Sequence, residues 1–313
     1  MMVYPLKMRP YFRHGDETPW GGERLRTLFG KSIPDDRTGE SLEISALPGR
    51  ESVVDNGDMA GRTLSQVAQA WGADLLGKWP EFPLLLKLLD ARDTLSVQVH
   101  PDDDYARRVE GKRGKTEAWY ILDTQPGAKL VYGVNARDKA ELERLSEAGR
   151  IEDALNWISV KPGDCLYIRS GTVHAIGAGI VLYEIQQSSD VTYRMWDWGR
   201  PREIHTRKAL DVTRCDMELT PVTPKVSHVL GGHRAELIDG EFFRLSRLDV
   251  MGRMPVETDS FALLTALDKC WVEYDGGSLL LERGDSALIP AALGEFSLCG
   301  HLTALLSEPA ANS

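Results

Sequence analysis

The chain has 313 residues, of which 42% are hydrophobic and 27% charged, and its formal net charge is -10. That composition excludes a disordered chain, and the acidic balance excludes a basic groove tracking a nucleic-acid backbone, although one small anion needs only a local cluster of cations. No run approaches the roughly 20 apolar residues that span a bilayer, the start lacks a signal-peptide core, and Cys165, Cys215, Cys270 and Cys299 lack metal-type spacing, so a cytoplasmic protein with reduced thiols is expected.

The first 45 residues are rich in Gly and Pro and hold few periodic segments, which predicts irregular backbone with short strands. Thr63 to Leu76 has apolar residues near helical spacing and predicts a helix. Asp138 to Trp157 predicts a second, broken by Gly149 into two short pieces. Around them stand short runs rich in Leu, Val, Ile, Tyr and Trp: PLLLKLLD (83–90), TLSVQVH (94–100), EAWYIL (117–122), DCLYIRS (164–170) and GIVLYEIQ (179–186). Bounded by Gly, Pro or Asp, they predict a barrel or sandwich of short strands.

From about Glu203 the pattern changes. His205 to Pro224 reads as a connector, and a further set of short strands runs from Phe242 to Leu306. In that set GDSALIPAAL (284–293) echoes GDCLYIRSGTVH (163–174), a weak sign of an internal repeat. Gly294, Glu295 and Phe296 stand where a counterpart of His174 would fall, so the second unit is expected to bind no metal.

Alternation along LSVQVH puts Leu95, Val97 and Val99 on one face and Ser96, Gln98 and His100 on the other. Likewise Lys115, Glu117 and Trp119 share a face, with Thr116, Ala118 and Tyr120 opposite. Each segment alone reads as a half-solvated strand. His174 follows a Ser-Gly turn, and such a histidine alone is usually structural. Together, two histidines, a glutamate and a glutamine on one interior wall supply the neutral imidazole and carboxylate donors that hold Zn²⁺ or a similar ion. In VLYEIQQSSDVTYRMWDWGR (181–200), Leu182, Glu184 and Gln186 share one face, and Thr192, Arg194 and Trp196 another. A surface ion pair is the usual fate of an arginine such as Arg194, and its setting among aromatics also fits an interior anion or oxyanion role.

At these residues the sequence resembles the type I mannose-6-phosphate isomerases, in particular their short bacterial form, a cupin-type family. The similarity runs through WGGERL (20–25), GESLEIS (39–45), PLLLKLLDARDTLSVQVHPDDDYA, GKTEAWYIL, SGTVHAIG and LYEIQQSSDVTYRMWDWGR. It covers the first two-thirds of the chain strongly and the last third only by general pattern. The resemblance implies a mainly β fold with two cupin-type (jelly-roll) barrels and a few helices packed on the first. Residues 1–204 would form the metal-binding domain and 205–313 a degenerate cupin-like one. It further implies one zinc per chain on Gln98, His100, Glu117 and His174, an active-site arginine at Arg194, and a lysine beside the metal at Lys115. Lys87 and Ser96 would contact substrate, and Glu184 also falls at a family site position. Leu42 departs from the family, whose members often carry Trp there, which bears on the cavity rim.

The implied reaction interconverts mannose 6-phosphate and fructose 6-phosphate through an enediol, so a general base is needed. Glu184 is one candidate and water activated by the metal another. Two other readings remain open from sequence: a different cupin metalloenzyme such as an Fe(II) dioxygenase, and a non-catalytic sugar-phosphate-binding protein. The partner expected is a small sugar phosphate, with no nucleic acid and no membrane, in a monomer or homodimer.

Overall fold

A computed structural model describes residues 3–310, and in it strands dominate and pair antiparallel throughout. Six strands form one sheet in the order Cys165–Ile168, Glu117–Thr124, Ile180–Gln187, Leu84–Ala91, Glu40–Ile44, Tyr11–Arg13. Five form another, in the order Tyr193–Trp196, Val97–Val99, His174–Ala175, Lys129–Val134, Leu155–Ser159. The two face each other across a buried cluster that takes Leu89, Trp119, Ile121, Leu166 and Leu182 from the first and Leu130 and Tyr132 from the second. The opposite face of the six-stranded sheet contributes Leu86, Leu88, Ala118, Tyr183 and Ile185 to a core shared with Leu245, Leu263, Leu288 and Leu305. Those last four belong to a third, ten-stranded sheet, which has a second core of its own around Leu248, Val272, Leu281, Phe296 and Leu306. This sheet also recruits the beginning of the chain: Leu6–Arg9 pairs with both Ser286–Ile289 and Val53–Val54. The boundary expected near residue 204 is therefore crossed by an N-terminal strand.

The helix expected over 63–76 forms, opened by a capping box between Thr63 and Gln66, but Gly72 divides it into Leu64–Trp71 and Ala73–Leu76. The second expectation is half overturned. Asp138 caps the helix Lys139–Glu147, but its continuation becomes a 3₁₀ turn, Ile151–Ala154, and then the strand Leu155–Ser159. Trp157 pairs with Val131, and Ile151, Ala154 and Leu155 bury their side chains in the cluster on the outer face of that sheet, which overrides the local helical pattern. Three helices fall where none was read: Arg24–Phe29, Asp103–Glu110 with Asp102 as N-cap, and Thr206–Val212 inside the expected connector. The echoed turns match in detail, since Asp164 accepts from the Lys161 N–H at 2.9 Å and Asp285 from the Glu282 N–H at 2.8 Å. Among the described residues no helix is long and apolar enough to cross a membrane.

Candidate metal centre and its cavity

Both faces of the strand Val97–Val99 are used. Val97 and Val99 pack outward under Leu142 and Leu210 of the helices, while Gln98 and, just past the strand, His100 turn to the interior. Leu95 precedes the strand and escapes its alternation, joining the interior cluster instead. His174 opens its own strand directly opposite Gln98. Gly171 makes that approach possible. It adopts a left-handed φ of 85° in the Ser-Gly turn and donates its N–H to the His100 carbonyl at 2.8 Å, tying the two histidine segments together. A Cβ there would come within 3.0 Å of the Val212 carbonyl oxygen.

The two imidazole rings lie 4.8 Å apart. His100 Nδ1 is 2.9 Å from the Val191 carbonyl and His174 Nδ1 is 2.8 Å from the Thr172 carbonyl. A ring nitrogen facing a carbonyl carries the proton, so each Nε2 keeps its lone pair. Glu117 lies between them, with Oε1 3.4 Å from His174 Nε2 and Oε2 3.6 Å from His100 Nε2. The three side chains are buried and offer ligand atoms within 4.8 Å of one another. Neither Glu117 Oε1 nor His174 Nε2 has a hydrogen-bond partner. Burial drives the His100 pKa well below its usual range, with Lys115 adding to the effect, and pushes His174 down to about 4. The same burial, with the Glu184 charge, pushes Glu117 up to about 7. Neutral imidazoles and a carboxylate, with lone pairs unspent at Glu117 Oε1 and His174 Nε2, are the donor set of a divalent-cation site, and these residues fit one.

One wall of the adjoining cavity is charged. Lys115 Nζ stands 2.6 Å from Glu117 Oε2 and 3.2 Å from His100 Nε2. Lys87 Nζ lies 3.0 Å from Glu184 Oε1, and Trp119 Nε1 donates to Glu184 Oε2 at 3.0 Å. Burial works to raise the Glu184 pKa, but Lys87 and Lys115 outweigh it and hold the carboxyl below its usual value. Lys115 is likewise opposed by burial, yet Glu117 and Glu184 keep it charged. Arg194 sits opposite Gln98 on the neighbouring strand; its Nη1 donates to the Glu203 carbonyl at 2.7 Å and its buried Nε has no partner. Ser96, Gln98, Lys87, Lys115, Glu184 and Arg194 all line a cavity of about 270 Å³. Every residue singled out in the sequence thus meets either this cavity or the buried cluster beside it. Trp196 is the exception among their neighbours: a bulge between Arg194 and Trp196 turns it onto the outer cluster.

Sequence reading missed Arg13, Glu40, Arg50 and Arg202, all of which line the same cavity, as does the buried Leu42. Arg13 and Glu40 belong to the segment taken as irregular, and only the register of two short strands, Arg13 opposite Glu40, brings them inward. Trp119 was placed on the correct face, but its bond to Glu184 had no sequence signal.

Residues 12–126 match the family description "Phosphomannose isomerase type I, catalytic domain" and residues 234–309 match "Mannose-6-phosphate isomerase, cupin domain". A mannose-6-phosphate isomerase of Bacillus subtilis is 38% identical, the alignment covering 98% of this chain and all of that protein. The crystal structure of the mannose 6-phosphate isomerase from Bacillus subtilis superposes with a TM-score of 0.92 at 35% identity, over 98% of this chain and all of that one. A zinc-bound mannose 6-phosphate isomerase, at 17% identity and a TM-score of 0.82 over 98% of this chain and all of that one, shares the fold.

Proposed function

The chain belongs to the type I mannose-6-phosphate isomerases, and from that premise we propose that it interconverts mannose 6-phosphate and fructose 6-phosphate with one zinc ion per chain. The observation that carries this reading is the buried His100–Glu117–His174 cluster, with unspent ligand atoms, opening beside a cavity walled by cations. Gln98, His100, Glu117 and His174 would hold the ion. When bound, it would supply Lewis acidity at the sugar oxygens, offsetting charge that develops during proton transfer.

The remaining chemistry belongs to the side chains. Turning an aldose into its 2-ketose moves the C2 proton to C1 and the O2 hydroxyl proton to O1. Glu184 carries the carbon-bound proton: it is buried beside the cavity and held ionised by the Lys87 and Lys115 ammonium groups. Lys115 donates to the oxygen that gains negative charge, and Arg194, with its Nε unspent, adds a fixed positive group. Lys87 and Ser96 hold sugar hydroxyls and phosphate. Residues 1–204 then form a catalytic cupin barrel from the two facing sheets, and 205–313, completed by the N-terminal strand, form a second barrel that supports it.

Turnover of mannose 6-phosphate, glucose 6-phosphate and ribose 5-phosphate, measured after chelation and again after adding back zinc, tests the reading. Fructose 6-phosphate should form from mannose 6-phosphate alone, cease on chelation and return with zinc. Undiminished turnover in the chelated protein would rule out the metal's part, and no turnover of mannose 6-phosphate would rule out the activity.

A further inference from the structure

The cavity wall holds a buried carboxylate that the reaction above does not use. Glu40 is 6% exposed, lines the cavity, and is bound from outside by Arg13, whose Nη1 donates to Oε2 at 3.0 Å. On its inner side the same oxygen is 3.8 Å from Lys87 Nζ. The pairs continue in both directions. Outward, Arg13 Nε meets Glu17 at 3.0 Å, and Glu17 meets Arg50 at 3.5 Å. Inward, Lys87 meets Glu184 at 3.0 Å, Glu184 lies 4.0 Å from Lys115, and Lys115 meets Glu117 at 2.6 Å. Cations and carboxylates therefore alternate without a break from the surface to the metal cluster.

The sheet register builds this row. Arg13 stands opposite Glu40, and Lys87 opposite Glu184, on adjoining strands. Glu40 is paired with Leu89, so it reaches Lys87 as a diagonal neighbour two residues along the same face. Lys87 is thus flanked by two carboxylates. It is within hydrogen-bond distance of Glu184 and within ion-pair range of Glu40, so two charges on adjoining strands restrain a flexible ammonium. The Glu40 charge fixes where the ammonium sits, and the N–H groups that Glu184 does not engage remain donors for substrate.

We propose that Glu40, anchored by Arg13, is a positioning residue that acts through Lys87, holding that ammonium between two carboxylates so that its remaining N–H groups meet the sugar beside Glu184. The proposal rests on the isomerase reading, in which Glu184 and Lys87 meet substrate.

The test is a double-mutant cycle between Glu40→Gln and Lys87→Met, with kcat and KM for mannose 6-phosphate, zinc content and thermal unfolding measured on each protein. Glu40→Gln should lower kcat by about tenfold or more while KM stays within roughly threefold. Zinc content should be unchanged. In the Lys87→Met background the same change should cost less than about twofold, because the residue it acts through is gone. Glu40→Asp, which keeps the charge, should recover much of the loss and serves if Glu40→Gln folds poorly. An unaltered kcat, or a full and multiplicative loss without Lys87, overturns the proposal. If the wild-type enzyme turns over no sugar phosphate, the isomerase reading fails by itself. The cycle is then read on mannose 6-phosphate affinity by calorimetry, where an effect of Glu40→Gln that persists unchanged in Lys87→Met refutes the coupling.

Discussion

Replacing Glu117 by glutamine should stabilise the metal-free protein while abolishing its response to zinc. Ionised Glu117 is buried, faces the Glu184 charge, and has its pKa pushed from 4.5 to about 7. A raised carboxyl pKa means that the folded state holds its proton more tightly than the unfolded chain. Stability from this group is then full below about pH 4.5 and declines as pH rises towards 7. The shift, already net of the Lys115 attraction, sets an upper bound on the penalty on the order of 3 kcal/mol above neutrality. For a cooperative unit of this size that upper bound is a rise of roughly 5 °C in Tm. The assay is thermal unfolding of chelated wild type and Glu117→Gln at pH 5 and pH 8, each repeated with zinc. The variant should be the more stable at pH 8, the gap should shrink at pH 5, and zinc should raise only the wild-type Tm. A variant less stable than wild type at pH 8, or one that gains as much from zinc, would show that Glu117 is a structural ion-pair partner of Lys115 instead of a ligand held under strain.

Other side chains give separable signatures. Arg194→Ala should leave zinc content and fold intact while kcat/KM falls by on the order of 10²- to 10³-fold; steady-state kinetics with metal analysis decide this, and an unchanged rate removes the residue from the reaction. Trp119→Phe keeps an aromatic ring, though a smaller one, and deletes the donor to Glu184, a bond to a charged group worth about 1.5–3 kcal/mol, so kcat should fall roughly tenfold or more with KM little altered. Glu40 is titrated in the opposite sense to Glu117. Burial opposes its ionisation, but Arg13 and Lys87 hold its pKa down to about 2, so the stability it confers is present above about pH 4.5 and lost as pH falls towards 2. In acid unfolding, the advantage of wild type over Glu40→Gln should shrink across that window.

How much of this was legible in sequence follows from how each residue is positioned. Gln98, His100 and Glu117 lie on or at the ends of strands whose alternation also sorts Val97, Val99 and Ala118 to outward faces, so period-2 reading assigned them correctly. Leu155–Ser159 was misread because its preceding charges continue a helical pattern; the deciding partner, Lys129–Val134, lies outside any local window. Trp196 left its predicted face through a bulge that no local signal announces.

Arg13 and Glu40 mark a harder limit. They meet across 27 residues, on strands of three and five residues inside a segment without periodicity, and each would ordinarily be assigned to the surface. What holds Glu40 inside, with Arg13 half-buried against it, is the row of opposite charges that begins at the His100–Glu117–His174 cluster. Glu117 draws Lys115 inward, Lys115 and Lys87 flank Glu184, and the second ammonium leaves room for one more carboxylate, which in turn needs Arg13. An isolated buried charge costs several kcal/mol, so each member of the row is tolerable only because the next is present. The chemistry at one end of the wall thereby dictates residue choice at the other, and a sequence read segment by segment sees only the individual charges.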